Sequence, residues 1–223
     1  MPGSPAPARR KRRILGLDEQ QRQAERRRLV LGAALELFGT RGYGTTSIEL
    51  LCQTAGVGTN SFYDLFPNKE AVIVGLYDQL TTTMRDAVAE ELVAHHDDPD
   101  PIRPLVNRFV HAAVDDPRVA RVAFIEAAGI SLAVEEHRRR TRNDFVEGLQ
   151  AIGQAIRHAN HHPRYADPSA HTPSPRRTAV AIVGAIIETT LDWLRDPDPD
   201  PIDQLIDDIT YHCHQLLRTI IPN

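Results

Sequence analysis

The chain has 223 residues, 41% hydrophobic and 25% charged, which fits one medium globular domain or a small domain joined to a larger one. No stretch approaches the roughly 18 uncharged apolar residues of a membrane span. The basic "ARRKRR" near the start leads into polar chain instead of the apolar core of a secretory signal, so a cytoplasmic protein is expected. The net charge of −4 is unevenly spread: residues 1–70 carry 11 Lys/Arg against 7 Asp/Glu (+4), leaving 15 against 23 (−8) for the rest. A basic end on an acidic body suits contact with a polyanion at that end alone, although a solvated tail gives the same excess.

In chain order, residues 1–17 are rich in proline and arginine and are expected to form a disordered basic tail. Asp18, with Gln21 three residues on, predicts a helix cap, and the helix runs to about Phe38. Val30, Ala33, Ala34, Leu37 and Phe38 form its apolar stripe. Gly39 and Gly42 end it. Thr46-x-x-Glu49 is a capping box for a second helix that buries Ile48, Leu51, Cys52 and Ala55. Gly56 stops that helix, and a third begins near Gly58 and buries Phe62 and Phe66. Pro67 closes the third, and Asn68 caps a fourth reaching about His95.

Asp100-Pro101, Asp116-Pro117 and Asp200-Pro201 each pair a capping residue with proline at the first helical position. Ile102, Leu105, Val106, Phe109, Val110 and Ala113 make a clean helical stripe. Further helices are predicted at about 117–129, 131–160, 175–195 and 201–220, with a Pro/His-rich loop over His161–Ser174. No segment alternates like a strand. The expectation is an all-α chain of nine helices, with Cys52 and Cys213 as buried thiols in a reducing compartment rather than a disulfide or metal pair.

Three short helices with a tight "AGVG" break before the third describe a helix-turn-helix, whose last helix can enter the DNA major groove. Thr59, Asn60 and Ser61 stand where an ordinary core helix would be apolar. They are short donors and acceptors, and asparagine can pair bidentately with adenine. Tyr63 on the same helix can donate its hydroxyl to a phosphate. Thr45 or Thr46 and the free amides at the start of the second helix can do the same, while Lys69 adds a charge on that side. Helix pairs joined by a glycine turn also occur in many all-α proteins without any nucleic acid.

The run "RRRLVLGAALELFGTRGYGTTSIELLCQTAGVGTNSFYDLFPNKEAV", residues 26–72, resembles the DNA-binding domain of the TetR (tetracycline repressor-like) family of transcriptional regulators. The marks are Ala-Ala-x-x-Leu-Phe, Gly42-Tyr43, Thr46-Ser47, Ala55-Gly56-Val57, Tyr63, Phe66 and Lys69-Glu70. The rest of the chain is similar to the family in layout, with six helices and "WLRDPDPDP" before the last. The resemblance implies residues 18–67 as the DNA-binding domain, with Ser47 among its contacts, and residues 68–223 as a six-helix effector-binding and dimerisation domain. It implies a homodimer paired through the last two helices, reading a palindromic operator in double-stranded DNA. It also implies release by an unknown small-molecule effector, with no cofactor. The chain departs from the family pattern at Gly58, where a serine cap is frequent, and at Asn60, a common glycine. Leu65 replaces a frequent His or Tyr, and Asp64 is unusual beside DNA. The basic tail suits either a minor-groove arm or a solvated extension.

Within the body, Glu126 shares an apolar helical face with Val119, Val122 and Ile130. A carboxylate there must either meet an arginine or face a pocket. Phe109, Phe124, Phe145 and Trp193 are candidate pocket walls or plain core. His158, His161, His162 and His171 gather near the long loop, but proline breaks any helical ligand face, so no metal is expected. No nucleophile elbow, phosphate loop or zinc-protease motif is present, and an enzyme is not expected. Two alternatives to the small-molecule-controlled repressor stand: a regulator controlled by a protein partner, and a helical ligand-binding or interaction protein without specific DNA binding.

Overall fold

The computed structural model describes residues 8–95, 98, 100–159 and 173–218, with side chains over 18–95, 98, 100–154 and 173–217. Met1–Pro7 and the histidines at 161, 162 and 171 lie outside the described residues, as does the side chain of His158. The described chain holds nine α-helices and one π-helical turn, and no strand among the described residues. It divides into an N-terminal unit, Met1–Leu76, and a C-terminal unit, Tyr77–Asn223.

The N-terminal unit contains α1 (Ala8–Thr40), α2 (Ile48–Ala55), α3 (Thr59–Tyr63) and the first turns of α4 (Lys69–Ala94). Helix α1 begins at Ala8, ten residues before the cap expected at Asp18, and so includes much of the segment expected to be disordered. After Pro7 the sequence "ARRKRRILGL" has no proline and consists mainly of Arg, Lys and Leu, which lose little side-chain freedom in a helix. Asp18 is therefore an interior residue, paired with Arg22 at 3.3 Å.

The buried stripe of α1 is the expected one: Val30 and Phe38 are fully buried, with Ala33, Ala34 and Leu37 beside them. It packs on α2, which buries Leu51, Cys52 and Ala55. Phe62 from α3 and Phe66 just beyond it complete the cluster, their ring centroids 5.9 Å apart. Each such large side chain contributes on the order of 1.5–3 kcal/mol on burial. Gly56 adopts the left-handed conformation (φ 64°) that ends α2, and glycine takes it without strain.

The C-terminal unit continues α4 and adds α5 (Ile102–Val114), α6 (Pro117–Arg121), α7 (Leu132–Ala159), α8 (Pro175–Arg195) and α9 (Ile202–Arg218). Asp116 caps α6 by accepting from the Arg118 amide at 2.9 Å, with Pro117 in the first helical position. Helix α6 runs straight into a π turn, Val122–Glu126, whose wide spacing is seen in the Ala127 amide donating to the Val122 carbonyl. Helix α9 packs on α5 and α8. Its stripe of Leu205, Ile206, Ile209 and Cys213 is buried against Val106, Val110 and Ala113 of α5 and Ile182 of α8. The Trp193 indole donates to the Asp200 carbonyl at 2.7 Å and ties down the connection between the last two helices.

Candidate functional site

At the corner between α2 and α3, Ser47 and not Thr46 caps α2, accepting from the Leu50 amide at 3.2 Å. Thr46 is buried, and its hydroxyl donates to the Gly42 carbonyl at 2.8 Å, so it cannot reach a phosphate. The adjacent threonine has the opposite fate: Thr45 is exposed, donating to the Arg41 carbonyl at 2.8 Å. One of the two neighbouring hydroxyls must face in, and the turn gives that place to Thr46.

Lys69 also departs from expectation. Its ammonium donates to the carbonyls of Tyr43 and Thr46, both at 2.8 Å, and lies 4.1 Å from the Tyr43 ring centroid. Burial holds its pKa below the usual lysine value. The charge fastens the first turn of α4 to the loop ahead of α2, so Lys69 is a brace of the corner rather than a free cation for DNA.

On α3, Phe62 alone is buried; Thr59, Asn60, Tyr63 and Asp64 are exposed and Ser61 is half-buried. Gly58 offers no side-chain cap, which leaves the first amides of the helix available. Burial pushes the Cys52 thiol up, against a hydrogen bond with Thr59. Thr59 is thus partly committed within the unit, and the freest groups on this face are the Asn60 amide and the Tyr63 hydroxyl. Tyr63 is 52% exposed, its ring edge-on to Phe62 at 5.5 Å.

The C-terminal unit holds a partly open cavity of about 570 Å³, in the range of small-molecule sites. Phe109, Phe124 and Phe145 line it, together with Met84, Leu149 and Ile182. Phe109 and Phe145 meet edge to face at 6.1 Å. Cys213 also lines the cavity; burial pushes its thiol up to about 11, so it stays protonated and unreactive at neutral pH.

Glu126 and Trp193 are not on the cavity wall. Trp193 packs against the core formed by α5, α8 and α9. Glu126 is bonded by Arg121 at 2.9 Å, with its side chain 15% exposed. The helical period of 3.6 residues placed Glu126 on the apolar stripe. The π turn widens the spacing and brings residues five apart together, which delivers Glu126 to Arg121 instead. Glu126→Gln should therefore lower stability by about 1 kcal/mol, as for a half-exposed ion pair, and leave ligand affinity unchanged. Thermal unfolding and ligand titration of the same variant check both halves of this expectation.

Sequence reading missed the polar residues on the wall, among them Tyr77, Thr81, Arg138 and Arg142. Arg138 and Arg142 sit in the run "HRRRTR", which has the look of a solvated helix face. Burial keeps the Tyr77 phenol above its usual pKa despite the nearby Arg138 and Arg142, so it is neutral. The Gly129 amide, ahead of Arg138, holds the Glu135 carboxyl below its usual range. Among the described residues no group of three His, Cys, Asp or Glu is placed to hold a metal, and no helix is long and apolar enough to cross a membrane.

The described chain thus combines a helix-turn-helix corner in one unit with a largely apolar cavity in the other. Residues 30–76 match the family described as bacterial regulatory proteins, tetR family, so this part of the N-terminal unit is similar to that family. The HTH-type transcriptional regulator YhgD of Bacillus subtilis is 24% identical over 180 residues, 78% of this chain and 87% of the relative. Matches to two other B. subtilis regulators take in only 21% and 53% of those proteins' length.

Among solved structures, the fatty acid degradation regulator FadR of Bacillus halodurans superposes with a TM-score of 0.71 at 17% identity. That match covers 86% of this chain and 94% of the other. The FadR repressor of Thermus thermophilus, solved in complex with lauroyl-CoA, gives 0.63 at 20% identity, covering 86% and 94%. At these identities the structures establish a shared fold.

Proposed function

We propose that the chain is a cytoplasmic, homodimeric repressor that reads a palindromic operator with α3 and releases it when a small molecule fills the cavity. The observation that carries the DNA half is the two-sided character of α3: Phe62 is fully buried while Asn60 and Tyr63 face outward on a corner braced by Lys69. A rigid corner presenting short polar groups fits a groove floor where hydrogen bonds read base edges. Pairing of protomers through α8 and α9 is supported by apolar side chains left exposed there, Val180 at 49% and Tyr211 at 60%. A palindrome read by two copies of α3 presents its half-sites about one DNA turn, roughly 34–36 Å, apart.

The concave, largely apolar cavity supports a small-molecule effector, since its volume of about 570 Å³ lies in the range of small-molecule sites. Its apolar lining supports a ligand with a long apolar part, the character of the lauroyl-CoA held by the T. thermophilus neighbour. An effector that binds one spacing of the two reading helices better than the other shifts the population away from the DNA-binding form.

The test is selection of bound fragments from the source genome by purified protein at low and near-physiological salt. Recovery of one palindrome at both salts supports the reading. Binding that is sequence-blind and lost at the higher salt rejects it, because phosphate contacts alone behave that way.

A further inference from the structure

The cavity is apolar but not uncharged. Four arginines reach its wall, Arg85, Arg138, Arg142 and Arg195, against two carboxylates, Asp144 and Glu188. Arg85 and Asp144 answer one another at 3.5 Å. Arg138 is different. Its side chain is only 15% exposed, and its Nη1 donates to both oxygens of Glu135, at 2.9 and 3.0 Å. Its Nε is buried and has no hydrogen-bond partner.

Glu135 is not free to swing round and satisfy that donor. One of its oxygens is held by the Gly129 amide at 2.7 Å, and Gly129 sits in a left-handed turn with φ of 73°. On the other side, the Tyr77 ring centroid lies 6.0 Å from the Arg138 guanidinium. Arg142, one helical turn further along α7, reaches the same wall. A guanidinium offers five N–H donors in a fixed plane and bonds best to a planar or tetrahedral oxyanion. A buried N–H without an acceptor is unfavourable, and a neutral apolar guest would leave it so.

We propose that Arg138 is an anion-reading subsite of the cavity, and that the effector is an amphiphile with an apolar body ending in an acidic group. The acid lies against Arg138, with Arg142 adding charge, and the body runs toward Phe109, Phe124 and Phe145. This rests on the reading of the cavity as the effector site. The anion could be a carboxylate on a free acid or a phosphate on a larger carrier; the chemistry at Arg138 is shared.

The experiment is calorimetric titration of the full chain with dodecanoate, dodecanoyl-CoA and dodecanol, for the wild type, Arg138→Gln and Arg138→Lys. At least one acid should bind ten-fold or more tightly than dodecanol, and which of the two does so identifies carboxylate or phosphate as the anion. Arg138→Gln should bring that acid down to the level of dodecanol while dodecanol itself is unaffected, and Arg138→Lys should keep part of the preference. Equal binding of dodecanol and both acids by the wild type overturns the anion subsite and leaves the cavity reading standing. A preference that survives Arg138→Gln, or a uniform loss of all three probes in both variants, also overturns it. Binding of none of the three by the wild type defeats the cavity reading itself, and the anion subsite with it.

Discussion

Replacing Phe62 by alanine is expected to destabilise the N-terminal unit by about 3–5 kcal/mol, the range for emptying a buried phenylalanine site. Phe62 is the sole buried side chain of α3 and has no solvent-accessible surface. Its ring touches the cluster through Phe66, and beside it the hydrogen bond of Thr59 with the Cys52 thiol joins α3 to α2. A helix so short has negligible stability of its own, because nucleation outweighs what one turn of hydrogen bonds returns. Hydrogen exchange should show the amides of α2 and α3 in the variant exchanging by local opening, with those of α9 protected as in the wild type. Protection in α2 and α3 equal to the wild type would mean that Phe66 and Leu51 suffice to seat the corner.

The second large effect concerns affinity. Asn60→Ala leaves the packing of α3 untouched, since its side chain is exposed, yet a lost bidentate base contact costs about 1–3 kcal/mol, or roughly 5- to 150-fold. Titration of the selected operator against a scrambled duplex should show the loss on the operator alone. Tyr63→Phe should weaken both duplexes by similar, smaller factors, as removal of a phosphate contact does. An Asn60→Ala protein that binds the operator as tightly as the wild type would remove this side chain from base reading.

Much of the fold is legible from local signals. The apolar stripes of α1, α5 and α9 follow the 3.6-residue period closely, and α6 begins at Pro117 behind the Asp116 cap, whereas α5 and α9 begin one residue after their prolines, at Ile102 and Ile202. Helix α8 spans 175–195 as its boundary residues indicate. What failed has identifiable physical causes. The start of α1 was misplaced because a basic, proline-flanked composition was read as disorder, while intrinsic helix propensity extends the helix back to Ala8. Two of the DNA-facing candidates turn inward because the loop ahead of α2 leaves backbone carbonyls that polar side chains satisfy, Thr46 that of Gly42 and Lys69 those of Tyr43 and Thr46. Thr46 and Lys69 both satisfy backbone carbonyls there, and composition cannot say which residue turns inward.

In the C-terminal unit the aromatic wall of Phe109, Phe124 and Phe145 could be suspected from sequence, but not its polar end. The pairing of Arg138 with Glu135, three residues earlier on α7, looks in sequence like an ordinary surface pair, and neither the hold of Gly129 on Glu135 nor the approach of Tyr77 from α4 can be read there. Glu126 misled for a separate reason: a π turn breaks the period on which every face assignment rests.

That turn also affects how the cavity could be reshaped. A five-residue hydrogen-bonded loop holds one residue more than the α-helical turns beside it, so Val122–Glu126 accommodates an additional residue without a bulging connection. The π turn is the last turn of its rod, which passes into a turn over 127–129 with Gly129 in the left-handed conformation (φ 73°). Chain length is therefore a variable of the wall as much as side-chain identity. Losing a single residue inside this stretch would shift the side chains around the gap and change the shape of the chamber around Ala123 and Phe124.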